Sequence, residues 1–170
     1  MEKPTPEEYP EYYNQYLNLV KDGDIIKILE EQSLYVQNFI ISIPEEKGDS
    51  TYGFGKWTVK EVFGHLLDSE RILTYRALRI ARRDKQPLPG YDQDDYIKNA
   101  KYYRKSLKEI ADEMLLLRAA NLKLFQSFDS EDMMQRGVAN DMELTVRALL
   151  YILAGHELYH INFIKDNYLN

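Results

Sequence analysis

Ala154-Gly155-His156-Glu157-Leu158-Tyr159-His160, inside the apolar run that follows Thr145, is the stretch on which the reading of the whole chain turns. Two histidines four residues apart project from one helical face with Cβ atoms about 5–6 Å apart. From that spacing two imidazoles reach a single metal ion at about 2.0–2.1 Å. At about 100° per residue, both fall in the middle of the stripe made by Leu149, Ile152, Leu153 and Phe163. They therefore point at a core, where neutral imidazoles need partners for their ring nitrogens. The chain has one further histidine, His65.

Working outward, three more segments share the helical period. The first runs from Asp24 to Ile43, with Ile25, Leu29, Val36, Phe39, Ile40 and Ile43 on one face, and stops at Pro44. The second opens on Thr58-Val59-Lys60-Glu61, a capping-box pattern, and continues to Arg82 through Val62, Phe63, Leu66, Leu73, Ala77 and Ile80. The third spans Arg104 to Phe128 on Leu107, Ile110, Met114, Leu117 and Leu124, and the fourth spans Thr145 to Tyr168. No segment alternates with a period of two for long enough to make a strand. The expected fold is all-α: one four-helix-bundle domain over residues 1–170, with residues 1–22 as a tyrosine- and proline-rich N-terminal arm packed over it. The link from Arg83 to Tyr103, containing Pro87-Leu88-Pro89-Gly90, is long enough for a crossover. Both an up-down-down-up order and a simple meander fit. If the second and fourth helices run antiparallel, His65 reaches the height of His160 and all three histidines meet.

Composition narrows the classes. With 44 % hydrophobic and 29 % charged residues the chain is an ordinary globular one rather than a disordered one. It has no cysteine, which excludes disulfides, zinc–cysteine sites and a cysteine nucleophile. A net charge of −6 makes nucleic acid an unfavourable partner. The basic run Arg76, Arg79, Arg82, Arg83 and Lys85 reads as a solvated helix end. The acidic start, MEKPTPEEYPEYYNQ, does not resemble a signal peptide, and the longest apolar stretch, Ala148 to Ala154, is too short to span a bilayer. A cytoplasmic protein without a membrane partner is expected.

Other polar residues fall on buried stripes. Gln32, Glu70 and Asn121 do so on the first, second and third helices. Gln32 lies near the histidine level and is a candidate cofactor or substrate contact. Asp68, three residues after His65, could accept the outward N–H of a ligand imidazole. Glu70 is expected to pair with Arg71 or Arg76. Glu157 completes a local match to the His-Glu-x-x-His text of zinc proteases, where the glutamate is the general base. Glu157 and Asp68 are thus the candidate catalytic residues, and His65, His156 and His160 the candidate metal ligands. Three imidazoles leave coordination positions open for water or substrate. All-imidazole ligation suits zinc, nickel, iron or copper, and the order of affinities does not decide among them; zinc or nickel is the first expectation and iron the next.

Gly55-Lys56-Trp57-Thr58-Val59-Lys60-Glu61, then His65, then Asp68-x-Glu70-Arg71, resembles the second-helix signature of the DinB-like superfamily of metal-binding bundles. Tyr75 to Arg82, Pro87 to Asp92 and Ala154-Gly155-His156-Glu157-x-x-His160 fit the same pattern, so the resemblance runs from the first helix to the C-terminus. It implies an up-down-down-up bundle, a divalent metal on His65, His156 and His160, no proteolysis, and a homodimer. Many relatives carry a further histidine where this chain has Tyr159. Relatives with assigned activities include metal-dependent transferases and isomerases that use bacillithiol, mycothiol or glutathione. The leading expectation is accordingly transfer of a low-molecular-weight thiol to an electrophilic small molecule. Metal-dependent hydrolysis and a non-catalytic metal- or ligand-binding bundle are the alternatives.

Overall fold

In chain order the computed structural model, which describes residues 2–169, contains α1 (Asn14–Leu17), α2 (Ile25–Ser42), α3 (Val59–Ala81), α4 (Gln93–Ala100), α5 (Leu107–Phe125), α6 (Ser130–Met133), β1 (Arg136–Ala139), β2 (Met142–Thr145) and α7 (Val146–Tyr168). The four long helices are the four expected ones, and each starts at a side chain that caps it. Asp24 accepts from the Ile26 amide, Thr58 from Glu61, Ser106 from Glu109 and Thr145 from Ala148. Glu61 and Glu109 return the bond to the backbone N–H of Thr58 and Ser106, closing two capping boxes.

Two features differ from the sequence reading. The Arg83–Tyr103 link carries a helix of its own, α4, capped by Asp92. Residues 136–145 form an antiparallel hairpin, with Arg136 opposite Thr145 and Ala139 opposite Met142. Four-residue strands are too short to show a period. The usable signal was the Asn140-Asp141 pair, which takes φ values of 53° and 60°, as a tight hairpin turn of the primed type requires. Leu88 joins this hairpin through its N–H to Val138 and its carbonyl to the Asn140 N–H, both at 2.9 Å. That tie fixes the Pro87–Gly90 segment over the bundle.

The apolar core divides in two. One cluster gathers Ile25, Leu29, Ala77, Ile80, Phe125, Leu149 and Leu153, and the other Val36, Ile40, Phe63, Leu67, Ile110, Met114, Ile161 and Ile164. Between them each long helix contributes polar residues: Gln32 from α2, His65, Ser69 and Glu70 from α3, Arg118 and Asn121 from α5, and His156, Glu157 and His160 from α7. The bundle is thus cut by a polar layer, and the candidate site lies in it.

The N-terminal arm is strapped down. Buried Glu8 accepts from Arg147 and, at 2.9 Å, from the Thr145 hydroxyl. Burial alone would raise the Glu8 pKa, but these bonds and that of the Thr5 amide hold it below the usual value. Further along, α1 presses on α7 so closely that a Cβ on Gly155 would lie 2.2 Å from the Tyr16 carbonyl oxygen. Only glycine permits that approach. Among the described residues no helix is long and apolar enough to cross a membrane.

Candidate metal centre

His65 comes from α3, and His156 and His160 from successive turns of α7. The His156 Nε2 lies 3.1 Å from the Nε2 of His65 and 3.1 Å from that of His160. The three ligand atoms all fall within 4.8 Å of one another. Two nitrogens 3.1 Å apart, each about 2.0–2.1 Å from an ion, subtend roughly 95–100° there, so His156 is placed to share an ion with either neighbour. The protonation state fits as well. Burial, with His160 adding repulsion, holds the His65 imidazolium down to about 3. Burial alone holds His160 at about 4, and burial with both neighbours puts His156 well below the usual histidine range. At neutral pH all three rings therefore offer lone pairs. Aromatic rings fix them from outside: Trp57 lies 5.0 Å from His65, Tyr16 stands edge-on 5.2 Å from His156, and Tyr159 5.4 Å from His160.

The other sequence candidates lie elsewhere. Glu157 is 4 % exposed, and its carboxylate is directed into the bundle. It accepts from Arg118 at 3.2 Å on one oxygen and from the Gln32 amide on the other. It lines neither cavity beside the histidines, so it is not placed as a general base. Gln32 spends its second N–H on the Ala154 carbonyl at 3.0 Å and reaches no ligand position. Asp68 accepts from the Tyr102 hydroxyl at 3.0 Å and faces Arg71 at 3.6 Å, rather than steadying an imidazole. Burial keeps its pKa above the usual value.

Glu70 pairs with neither Arg71 nor Arg76. Its oxygens take two bonds from Arg118, at 2.8 and 3.0 Å, and one from Asn121 at 3.0 Å. Arg118 also donates to the Leu29 carbonyl at 3.2 Å. The sequence reading missed this arginine, although Met114 and Asn121, four residues before and three after it, put it on the buried stripe of α5. Arg76 corrects the basic-run reading: it is 7 % exposed, whereas Arg79, Arg82 and Arg83 meet Asp84, Asp132 and Glu131.

Two cavities open at the histidines. The first, of about 200 Å³, reaches His65 and His156 between Tyr12, Tyr13 and Tyr16 of the arm and Ser69, Arg76 and Tyr91. The second, of about 420 Å³, reaches His160 between Trp57, Lys56, Phe163 and Tyr159. Gln93 at the start of α4 borders both. The arm was expected to pack over the bundle; it also walls the first cavity.

Residues 29–164 match the sequence model of the DinB superfamily. The chain belongs to the DinB superfamily. All three histidines fall inside the DinB match. A protein of Oceanobacillus iheyensis named "Putative metal-dependent hydrolase" is 30 % identical over an 84-residue alignment that covers 44 % of this chain and 48 % of that protein. The chain thus matches about half the length of that relative. Among solved structures, YfiT from Bacillus subtilis, titled "a probable metal-dependent hydrolase with an unusual four-helix bundle topology", superposes with a TM-score of 0.75 at 17 % identity. That match covers 90 % of this chain and 95 % of YfiT, and establishes the shared four-helix-bundle fold.

Proposed function

We propose that this DinB-superfamily protein is a divalent-metal enzyme that transfers a low-molecular-weight thiol to an electrophilic small molecule. The observation that carries this reading is the meeting of two separate cavities at one cluster of imidazole nitrogens. A transfer between two organic substrates needs both to reach one point from different sides. His65, His156 and His160 would hold the ion, for which we propose zinc or nickel among the metals that imidazole suits. A divalent ion there supplies Lewis acidity, lowering the pKa of a coordinated thiol or water. With no cysteine in the chain, the sulfur arrives with the substrate. Aromatic side chains line both approaches to the imidazoles, and Gln93 stands where the two substrates would adjoin. Such a reaction asks no carboxylate of the protein next to the nucleophile, in keeping with the inward turn of Glu157.

Hydrolysis is the second reading. The names of the relatives favour it, as does Asp94, an exposed carboxylate bordering the second cavity that could receive a proton. An up-down-down-up order is part of the proposal. It is supported by side-chain pairs that put the start of α3 beside the end of α7 (Trp57 with Tyr168) and Gly23 beside Tyr151. The pair Glu45 and the Leu107 amide adds the end of α2 and the start of α5.

The test is cobalt substitution followed by titration with thiols and, separately, with esters. Thiol transfer predicts a changed cobalt spectrum on adding thiol and consumption of an electrophile only when thiol is present. Ester turnover without thiol would replace that reading with hydrolysis.

A further inference from the structure

Arg76 lies in the first cavity as a buried cation without an anion. Its side chain comes from α3, three turns beyond His65, and is 7 % exposed. Among the described residues no carboxylate lies within ion-pair distance of it, although the neighbouring Arg79, Arg82 and Arg83 all have one. One bond is made: Nη2 donates to the Pro89 carbonyl at 2.7 Å. The titratable groups that act on it are the phenols Tyr13 and Tyr91, both neutral at pH 7, and Tyr91 is held by the Ser69 hydroxyl at 2.9 Å. A guanidinium keeps its charge under these conditions and offers five N–H donors in a planar fork. Burying such a group without a counter-charge is costly, and an anionic ligand in the cavity would offset that cost. The rest of the wall is neutral and largely aromatic: Tyr12, Tyr13, Tyr16, Tyr91 and Leu73.

From this arrangement we infer that the first cavity takes a small aromatic or otherwise flat apolar carboxylate, its anionic end on Arg76 and its opposite end toward His65 and His156. One guanidinium among neutral phenols balances one negative charge, which fits a carboxylate rather than a phosphate dianion. The fork matches the two carboxylate oxygens, and the phenol faces suit a flat body. The cavity volume of about 200 Å³ limits the ligand to a small molecule. This inference names the substrate class of the site proposed above and rests on that reading for the chemistry, but not for the binding.

The experiment is a calorimetric titration with benzoate and with benzamide, its neutral isostere, on metal-loaded and on chelated protein. Benzoate is expected to bind in both states, with benzamide weaker by about tenfold or more, because a site built for a charged partner rejects the analogue lacking it. Arg76→Gln is expected to abolish that discrimination while keeping the metal content of the parent. Arg76→Lys, which keeps the charge and loses the fork, covers the case in which the glutamine variant does not fold, and is expected to retain a reduced preference for benzoate. Equal affinities for benzoate and benzamide would overturn the proposal, as would inorganic phosphate binding more tightly than benzoate. An unchanged benzoate preference in Arg76→Gln would also overturn it and leave Arg76 as a pin for the Pro89 loop. Because the chelated protein needs no ion, failure of the metal reading, seen as equal metal content in the parent and His160→Ala, is distinguished from failure here.

Discussion

Arg118→Met is the perturbation for which the structure gives the clearest magnitude. The guanidinium is 2 % exposed and is shared by two carboxylates, Glu70 at 1 % and Glu157 at 4 %. It makes two bonds to Glu70, one to Glu157 and one to the Leu29 carbonyl. Methionine fills most of the volume, so little of the loss comes from a cavity. What is left is a pair of buried carboxylates with no cation. Breaking a buried ion pair by removing one partner costs about 3–5 kcal/mol, a large part of the roughly 5–15 kcal/mol that holds a domain folded. Urea unfolding of chelated protein, followed by far-ultraviolet circular dichroism, would read this as a lower midpoint at unchanged slope. Chelation keeps metal linkage out of the comparison. Adding Glu70→Gln and Glu157→Gln to Arg118→Met is expected to restore most of the loss, since neutral amides bury at lower cost. A loss below about 1 kcal/mol for Arg118→Met, within the range of an exposed pair, would refute the argument that a compensated buried ion cluster organises the middle of the bundle.

Other outcomes follow from the same layer. His160→Ala is expected to lower metal affinity by more than the about 10–100-fold typical of an outer partner, read as metal-to-protein ratio after dialysis beside the parent. In metal-free protein His65 and His160 titrate near 3 and 4 when folded, but near about 6.5 when unfolded. The unfolded chain binds more protons in between, so stability is full above about pH 6.5 and falls as pH drops toward about 4 and then about 3. Urea midpoints across that range would show it, and His160→Gln would flatten part of the slope. Glu157 works in the opposite sense: burial, with the charge of Glu70 adding, keeps its pKa raised, so its contribution is lost as pH rises above the unfolded value. Glu157→Gln is expected to make stability less dependent on pH above that point. Gly155→Ala sets a Cβ against the Tyr16 backbone, a contact that cannot yield by rotamer change. It should cost about 1–3 kcal/mol as overpacking does, and trypsin should then cut the arm faster.

The four long helices and the shared face of His156 and His160 were legible because both rest on periodicity, whereas the arrival of His65 depended also on the second and fourth helices running antiparallel. The stripe of α7 carries His156 and His160 on one face, and the capping residues Asp24, Thr58, Ser106 and Thr145 fall where the helices begin. The hairpin was not legible by period, since its strands are four residues each and bury little more than Ala139, Leu144 and Thr145; the turn at Asn140-Asp141 and the tie to Leu88 order it. The partners of Glu70 were misassigned for a related reason. A search along its own helix finds Arg71 and Arg76, but Arg118 approaches from α5, and only the packing of two helices brings them together. Arg76 reads as solvated in sequence because its neighbours are. Burial by the arm and by the Pro87–Tyr91 segment, neither of them part of the four long helices, sets it apart.

The angular step of α7 explains why ligands and anchors alternate along it. His156 and His160 lie one turn apart and face the two cavities, while Glu157 is rotated by about 100° from His156 and faces Arg118. Fixing Glu157 from α2 and α5 therefore fixes the rotation of α7 about its axis, and with it the direction of both imidazoles. On the other side Gly155 lets the Tyr16 backbone close against the same turn. The ligand turn is thus held from inside by charge and from outside by a backbone contact, through residues that touch no ion. Variation at Arg118 or Gly155 should consequently disturb metal affinity, although neither side chain lies among the three imidazoles.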